Sequence, residues 1–479
     1  MSQERQVVVV GGGPAGATAA ALLARQGFDV QLLERTRFPR YHIGESLLPS
    51  LLPVLDVLGA RDVVENHGFV RKTGAFYGWG GEEWPLGFDE PDRPAAYSFQ
   101  VVRSEFDQLL LEHARRQGAE IREETPVRRV AFEGGAEGAS GGRAGEVHWS
   151  TRGGGSGRTG FGFLVDASGR AGLLAAGQLR TRRFHEAFRN VATWAYWRGA
   201  RPLAAAPSGA IGVFSLPEHG WFWAIPLHDG TLSVGLVTDK QSFNDARNEH
   251  GGSLDAVYHQ ALTRCPLLAG MLSGARRVSP LKVESDYSYV SDAFCSPGWF
   301  LAGDAACFLD PLLSTGVHLA MYSGLLAAAA IGSVLRAEVE ETQARRYYQI
   351  AYRNAYERLL VLVSAFYRIH DGRDAYFRQA QTLSRRDQSG LRLHESFLNI
   401  VTGAEDLHDA RRDPVEEFLR KLRPADGDTP RRPGLGGHGT SQLVPLPTAE
   451  QHAAAGLLLT LDPYPRLRPA QDPDPRPDE

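Results

Sequence analysis

The first apolar run of the chain is Val7-Val8-Val9-Val10, four β-branched residues with no charge among them. Such a run, closed by glycine, reads as a strand buried on both faces. Alanine and leucine then recur over 17–25 at helical density, and a second short strand follows at 29–33. A polar loop over 38–46 opens a helix at 47–58, which Glu45 or Ser46 could cap. Residues 73–100 are strand-like and aromatic, with Phe76, Tyr77, Trp79, Trp84, Phe88, Tyr97 and Phe99. An amphipathic helix begins over 101–111, and short strands fit 119–121 and 127–132. The glycine-rich stretch 134–160 reads as hairpin loops around a short strand at 146–150. Residues 163–170 form a buried strand running into a glycine turn. Residues 183–291 alternate in strand fashion around a helical insert at 254–272. A strand at 298–304 and a long buried helix at 312–335 follow. The stripe Tyr347, Tyr348, Tyr352 and Tyr356 lies on an amphipathic helix over 338–370, a pattern that reads as core packing. From about 424 onward proline, glycine, arginine and aspartate dominate, and the expectation is a largely disordered tail with one short helix near 449–459.

Strand followed by helix followed by strand places the chain in the α/β class. Its first unit also carries chemistry. Gly11, Gly13 and Gly16 stand in Gly-x-Gly-x-x-Gly spacing between the first strand and the first helix, and Glu34 closes the second strand. Gly11 permits the tight turn, Gly13 lets a pyrophosphate approach the backbone, and Gly16 lets helix and strand pack closely. The helix N-terminus directs N–H groups at the phosphates, and Glu34 can take the hydroxyls of an adenosine ribose. This unit implies a dinucleotide without choosing between FAD and NAD.

Composition narrows the partners. With 479 residues, 43% hydrophobic and 23% charged, the chain suits a multi-domain globular protein. A formal net charge of −4 gives no reason to expect nucleic acid or an anionic membrane as partner. The apolar stretch near 319–335 contains Ser323 and Gly324 and reads as a buried helix, not a membrane span. The N-terminus enters a strand almost at once, so no signal peptide is expected. Cys265, Cys295 and Cys307 have no metal-ligand spacing; no metal site is expected, and a reducing cytoplasm fits. The basic residues are nearly all arginine, with Lys72, Lys240, Lys282 and Lys421 the four lysines. A lysine kept against that bias is a candidate for amine chemistry.

Trp299-Phe300-Leu301-Ala302-Gly303-Asp304 is a strand ending in Gly-Asp before a helix. Together with the N-terminal unit and Asp166 to Arg170, it gives three elements in the order and spacing of aromatic-hydroxylase-type FAD proteins. That resemblance selects FAD. Two further elements are the Trp-x-Trp-x-Ile-Pro of Trp221-Phe222-Trp223-Ala224-Ile225-Pro226, and Lys72 within Val70 to Gly80. With Gly44-Glu45-Ser46 and Asp310-Pro311-Leu312-Leu313-Ser314-Thr315-Gly316-Val317, they resemble the flavin-dependent halogenases over 5–370.

The resemblance implies an aromatic-hydroxylase-type FAD-binding fold: a discontinuous FAD domain from 1–75, 101–180 and 293–336, and an antiparallel sheet domain from 76–100 and 181–292. A helical region over 337–423 and the proline-rich tail over 424–479 complete it. It implies cofactor contacts from Gly11, Gly13, Ala15, Gly16, Glu34, Ile43, Gly44, Ser46, Arg103, Asp304, Pro311 and Val317. Read by itself, Arg103 fits a phosphate, the flavin edge or an exposed surface position equally well. The resemblance further implies that reduced FAD from a separate flavin reductase, with O2 and chloride as co-substrate, generates hypochlorous acid. Thr315 and Gly316 would bind the halide through N–H groups at a helix start, Trp221 and Trp223 would separate flavin from substrate, and Lys72 would pass on the oxidised chlorine. Arginine could not serve in that role because its guanidinium stays protonated, whereas a desolvated lysine can lose its proton. Tryptophan halogenases carry Glu immediately before Ser-Thr-Gly; here that position is Leu313. The departure implies the phenol/pyrrole branch, whose electron-rich substrates are often tethered to an acyl- or peptidyl-carrier protein in secondary metabolism. An aromatic monooxygenase is the runner-up. His42, His219 and His318 are candidate bases only by nearness to the motifs.

Overall fold

The computed structural model describes residues 3–79, 82–88, 96–132, 144–216, 220–368 and 456–469. The strand Gln3–Val10 lies inside an eight-stranded sheet, parallel to Val30–Leu33 on one side and Ser156–Asp166 on the other. Trp299–Leu301 and Glu120–Arg122 extend it in parallel, while Gly145–Ser150, Val127–Phe132 and Cys295–Ser296 add antiparallel strands. Val7, Val8 and Val9 are fully buried, as an apolar strand covered on both faces requires. Ser156–Asp166 is longer than expected: the sequence pattern places 156–160 in loops, but those residues pair with Gly145–Ser150 and continue the strand.

The helix Pro14–Arg25 packs on Gly316–Leu335. A Cβ at Gly324 would come within 2.4 Å of the Ala15 carbonyl oxygen, so this contact depends on glycine. Gly316–Leu335 is long and apolar enough to cross a membrane, yet 94% of its apolar window is buried within the fold. It starts later than the expected 312, because Ser314 adopts a left-handed conformation, φ 59°, after the short turn Pro311–Leu313.

The second sheet has nine strands centred on the 17-residue Arg182–Arg198, which pairs antiparallel with Thr231–Asp239 and Lys282–Ser291. Gly220–Pro226 and Ile211–Leu216 follow in order. One pairing departs from the antiparallel expectation: Ile211–Leu216 runs parallel to Gly74–Trp79, joined by a long excursion of chain. Lys72 lies outside this sheet, at the end of Val70–Lys72, which forms a two-stranded ribbon with Ser98–Gln100.

Strand alternation sorts Gly220–Pro226 into two faces. Phe222 joins Phe214, Leu236 and Tyr258 under the helices Leu254–Thr263 and Pro266–Met271. Trp221 and Trp223 point the other way, into the main core with Trp194, Trp79 and Trp84.

The helix Glu341–Arg368 carries the tyrosine stripe as core packing: Tyr348 Oη donates to Leu301 O at 2.6 Å, and Tyr352 Oη to Gly303 O at 3.1 Å. The rest of the expected helical region, 369–423, is outside the described residues. The proposed tail contains structure. Leu457–Thr460, expected within a short helix, is a strand paired with Arg466–Pro469, and Leu467 N–H donates to Ser333 Oγ at 2.8 Å. Its alternating Leu457 and Leu459 bury one face, which suits a strand packed on a helix better than a helix of its own.

Candidate active site

Gly11, Glu34 and Asp304 follow the carboxyl ends of three parallel strands, where ligands bind in open α/β sheets. Gly11 has φ 106°, and a Cβ there would lie 2.2 Å from the Ala167 carbonyl oxygen. A Cβ at Gly16 would lie 1.9 Å from the Gly11 carbonyl oxygen. Glu34 is buried; its Oε2 accepts from Gly12 N–H at 2.7 Å and its Oε1 from Thr36 N–H and Oγ1–H at 2.8 and 2.7 Å. Ala15 is buried on the first helix turn, and Gly303 and Asp304 follow Trp299–Leu301 in a tight turn. Burial pushes the Asp304 carboxyl up to about 6.

Residues 43–47 form an extended strap rather than a helix start. Leu47 N–H donates to Phe99 O and Val101 N–H to Glu45 O, pairing the strap with Ser98–Gln100 and delaying the helix to Leu51–Leu58. Neither Glu45 nor Ser46 caps that helix. Gly44 has φ 102°, and a Cβ there would sit 2.8 Å from Arg103 Nη1. Arg103 is buried. It donates to the carbonyls of Ile43 and Gly44 at 2.8 and 3.1 Å and makes a two-point ion pair with buried Asp107 at 2.8 and 3.0 Å. Its donors hold the strap, so the exposed alternative is excluded. His42, one of the histidines considered as a base, bonds the Ile43 carbonyl, and burial with nearby Arg103 lowers it to about 4.

The strap's side chains alternate. Ser46 Oγ accepts from Lys72 Nζ at 2.8 Å, and the Leu47 carbonyl accepts from the same amine at 3.0 Å. Lys72 is 2% exposed and lies 5.4 Å from the centroid of the Phe88 ring. Among the described residues no carboxylate pairs with it, and burial alone lowers its amine to about 7. Glu45 points the other way, accepting from Tyr196 Oη at 2.6 Å. Tyr41 Oη lies 3.0 Å from Tyr196 Oη and accepts from Trp194 Nε1 at 2.7 Å. Burial, against these bonds, raises the Glu45 carboxyl to about 7. Sequence reading missed this carboxyl, although it stands inside the quoted Gly44-Glu45-Ser46, because its partner is 151 positions away.

Beyond Glu45 lies the tryptophan wall. Trp223 is 6.1 Å from Trp221 and 6.3 Å from Trp194 between ring centroids, and its Nε1 donates to Ser233 Oγ at 3.2 Å. The strap also reaches the long helix: Ser50 Oγ lies 2.8 Å from His318 Nδ1. At that helix's start Asp310 is fully buried, accepting from Leu312 N–H and Asn190 Nδ2–H, and Pro311 opens the turn that follows. Val317 and Leu313 are buried. Thr315 is fully buried, and among the described residues its Oγ1 has no hydrogen-bond partner and a Cβ at Gly316 would meet nothing within 4 Å. A helix's first N–H groups are unpaired, so an orphan hydroxyl beside open space at this point suits a small anion. His219 lies outside the described residues.

A family model described as tryptophan halogenase matches residues 86–411, and one described as FAD binding domain matches 4–143. The chain belongs to the flavin-dependent halogenase family. A tryptophan 2-halogenase of Chondromyces crocatus is 45% identical over 85% of this chain and 77% of its own length. The sulochrin halogenase of Aspergillus terreus is 40% identical over 76% and 69%. The structure of the myxobacterial chondrochloren halogenase superimposes with a TM-score of 0.70 at 33% identity, covering 84% of this chain and 90% of that one.

The enzyme is an FAD-dependent halogenase, and its fold is the halogenases' FAD-binding fold. The geometry fits the cofactor on this chain's own terms: the closed Gly11–Gly16 turn, a buried acid at the ribose position, and a Gly-Asp turn after the neighbouring strand.

Proposed function

We propose that this halogenase chlorinates an electron-rich aromatic ring, a phenol or pyrrole, free or tethered to a carrier protein, in secondary metabolism. A separate flavin reductase supplies the reduced cofactor. One observation carries the reading: Lys72 is a buried amine lowered to about 7 and bonded to a hydroxyl and a carbonyl. A lysine so placed is half neutral near pH 7 and nucleophilic.

FAD would be held by Gly11, Gly13, Ala15, Gly16 and Glu34 at its adenosine end, and by the 43–46 strap, Asp304, Pro311 and Val317 toward its ring. Bound in reduced form, it supplies with O2 the oxidising power that turns chloride into hypochlorous acid. Thr315 and Gly316 hold the chloride through N–H groups and the Thr315 hydroxyl. Arg103 fixes the strap's carbonyls rather than touching the reacting atoms. Trp221 and Trp223 bar the ring from direct oxygen transfer. Neutral Lys72 then takes chlorine from hypochlorous acid: an N–Cl bond forms, the Cl–O bond breaks, and the N–H proton leaves with hydroxide as water. The aromatic carbon attacks that chlorine, the electron pair of N–Cl returns to nitrogen, and loss of the ring proton restores aromaticity and the amine.

Leu313 leaves no carboxylate at that position to steady a ring cation, which favours a ring already rich in electrons. A second reading is an indole substrate, favoured by the name tryptophan 2-halogenase borne by a 45% identical relative. Position 2 of indole belongs to its pyrrole ring. The test supplies the full chain with a flavin reductase, each halide, and phenols, pyrroles and tryptophan, free and carrier-bound, followed by mass spectrometry. A chlorine mass shift on a phenol or pyrrole is the expected result, and one on tryptophan alone selects the second reading. Lys72→Ala should abolish chlorination while FAD binding and reoxidation persist. Unchanged chlorination by Lys72→Ala, or hydroxylation without halogenation, overturns the proposal; the latter indicates the aromatic monooxygenase.

A further inference from the structure

Outside this site, three metal-ligating side chains converge from three separate elements. His67 stands in the loop before Val70–Lys72, Glu105 in the first turn of the helix Arg103–Arg116, and His228 in the turn between Gly220–Pro226 and Thr231–Asp239. Their ligand atoms all lie within 4.8 Å of one another. One oxygen, Glu105 Oε2, is 2.7 Å from His67 Nε2 and 3.2 Å from His228 Nε2. Both imidazoles therefore present the same ring nitrogen to one carboxylate atom. Phe69 packs on both rings, with centroids 4.3 Å from His67 and 5.3 Å from His228, fixing their orientation with an apolar surface. Among the described residues the buried His228 Nδ1 has no hydrogen-bond partner, so Nε2 is the ring's point of attachment.

We propose that His67, Glu105 and His228 form a divalent transition-metal site of the zinc class, distinct from the halogenation chemistry. Two imidazoles and one carboxylate are a borderline-soft N,N,O set, one that zinc takes with a water or further ligand completing four-coordination. Ligand atoms around a tetrahedral zinc stand roughly 3.3 Å apart. His228 is already near that spacing from Glu105, and His67 needs to withdraw by about half an ångström. Each neutral imidazole would carry its proton on Nδ1 and offer its Nε2 lone pair to the metal in place of the contact to Glu105. All three side chains are partly exposed, at 28%, 38% and 23%, so an ion can enter from solvent.

The placement gives the site a structural consequence. Glu105 is two residues from Arg103, which grips the strap carbonyls, and His228 is two residues past Pro226, the end of the tryptophan strand. An ion here ties the strap's anchor to the turn that follows the tryptophan wall.

The test uses the untagged full chain, stripped with a chelator and titrated with Zn2+ by calorimetry and with Co2+ by visible absorption. One Zn2+ per chain is expected, together with a Co2+ ligand-field band in the 500–650 nm region typical of about four-coordinate geometry. His67→Ala and His228→Ala should each weaken Zn2+ binding at least tenfold and abolish the band. FAD binding and the far-ultraviolet circular dichroism of both variants should match the parent, since neither side chain is in the core. Absence of stoichiometric Zn2+ binding by the parent overturns the site. So does a His67→Ala/His228→Ala double variant that binds Zn2+ as tightly as the parent.

Discussion

The two ends of the cofactor site are built on opposite principles. At the adenosine end the chain is closely fitted: the Glu34 carboxylate is oriented by three hydrogen bonds from Gly12 and Thr36, and Gly11 and Gly16 sit where a side chain would strike backbone. At the reacting end polar groups are buried with capacity to spare. Lys72 and Glu45 are both moved to about 7, and the Thr315 hydroxyl has no partner among the described residues. The first end is a rigid mould, costly to deform. The second keeps groups poised to change protonation or accept an ion, which a catalytic centre needs and a mould does not.

The sharpest break in that comparison is Gly16→Val. Its Cβ would fall 1.9 Å from a backbone oxygen, so the turn must open. We expect loss of FAD from the purified protein and destabilisation of about 3 kcal/mol or more, read from the flavin absorbance and from denaturant melts.

Next is Glu45→Gln. The folded carboxyl near 7 lies above its ordinary 4.5, so between these values the native state binds more protons and stability falls as pH rises. Glutamine removes that slope, a change of about 3 kcal/mol across the window, as melts at pH 4.5 and 7.5 would show. An unchanged slope would mean that the carboxyl is not held protonated.

Lys72 makes a kinetic prediction of opposite sign. Its amine lies below the ordinary 10.5, and the neutral form carries the reaction, so chlorination should rise with pH up to about 7 and then level. Between pH 5 and 7 the gain is about fiftyfold when chlorine transfer limits the rate. The smallest effect is expected from Thr315→Val, which deletes one hydrogen-bond donor while preserving shape. The KM for chloride should rise about tenfold with FAD affinity unchanged.

What could be read from the sequence follows the same division. The Val7 to Glu34 unit is local: strand, turn, helix and acid fall within 28 consecutive residues, and periodicity with glycine spacing reveals them. The Trp-x-Trp motif was legible as part of the family resemblance, and its spacing in a strand is what sets Trp221 and Trp223 on one face. Groups whose meaning comes from distant partners were hidden. Glu45 looks like a helix cap until Tyr196 is brought to it, and His67, Glu105 and His228 have no spacing that reads as a ligand set. Arg103 was half legible, since Asp107 stands four residues on, the spacing at which helical ion pairs meet, but the strap carbonyls it grips come from 60 residues earlier. The closing hairpin was obscured by the composition around it: a few apolar residues at 457–467 sit within a proline-rich stretch, and the Ser333 hydroxyl that anchors them is 134 positions away.

The strap's length has a consequence of its own. In extended chain, neighbouring side chains face opposite ways, so adding one residue between Gly44 and Glu45 would exchange the two sides. A carboxylate would then meet the Lys72 amine and hold it as a cation, while a hydroxyl met Tyr196. Parity of a five-residue segment, more than the identity of any one member, keeps the amine and the acid insulated from each other. An enzyme of this design tolerates substitutions along the strap better than a single insertion.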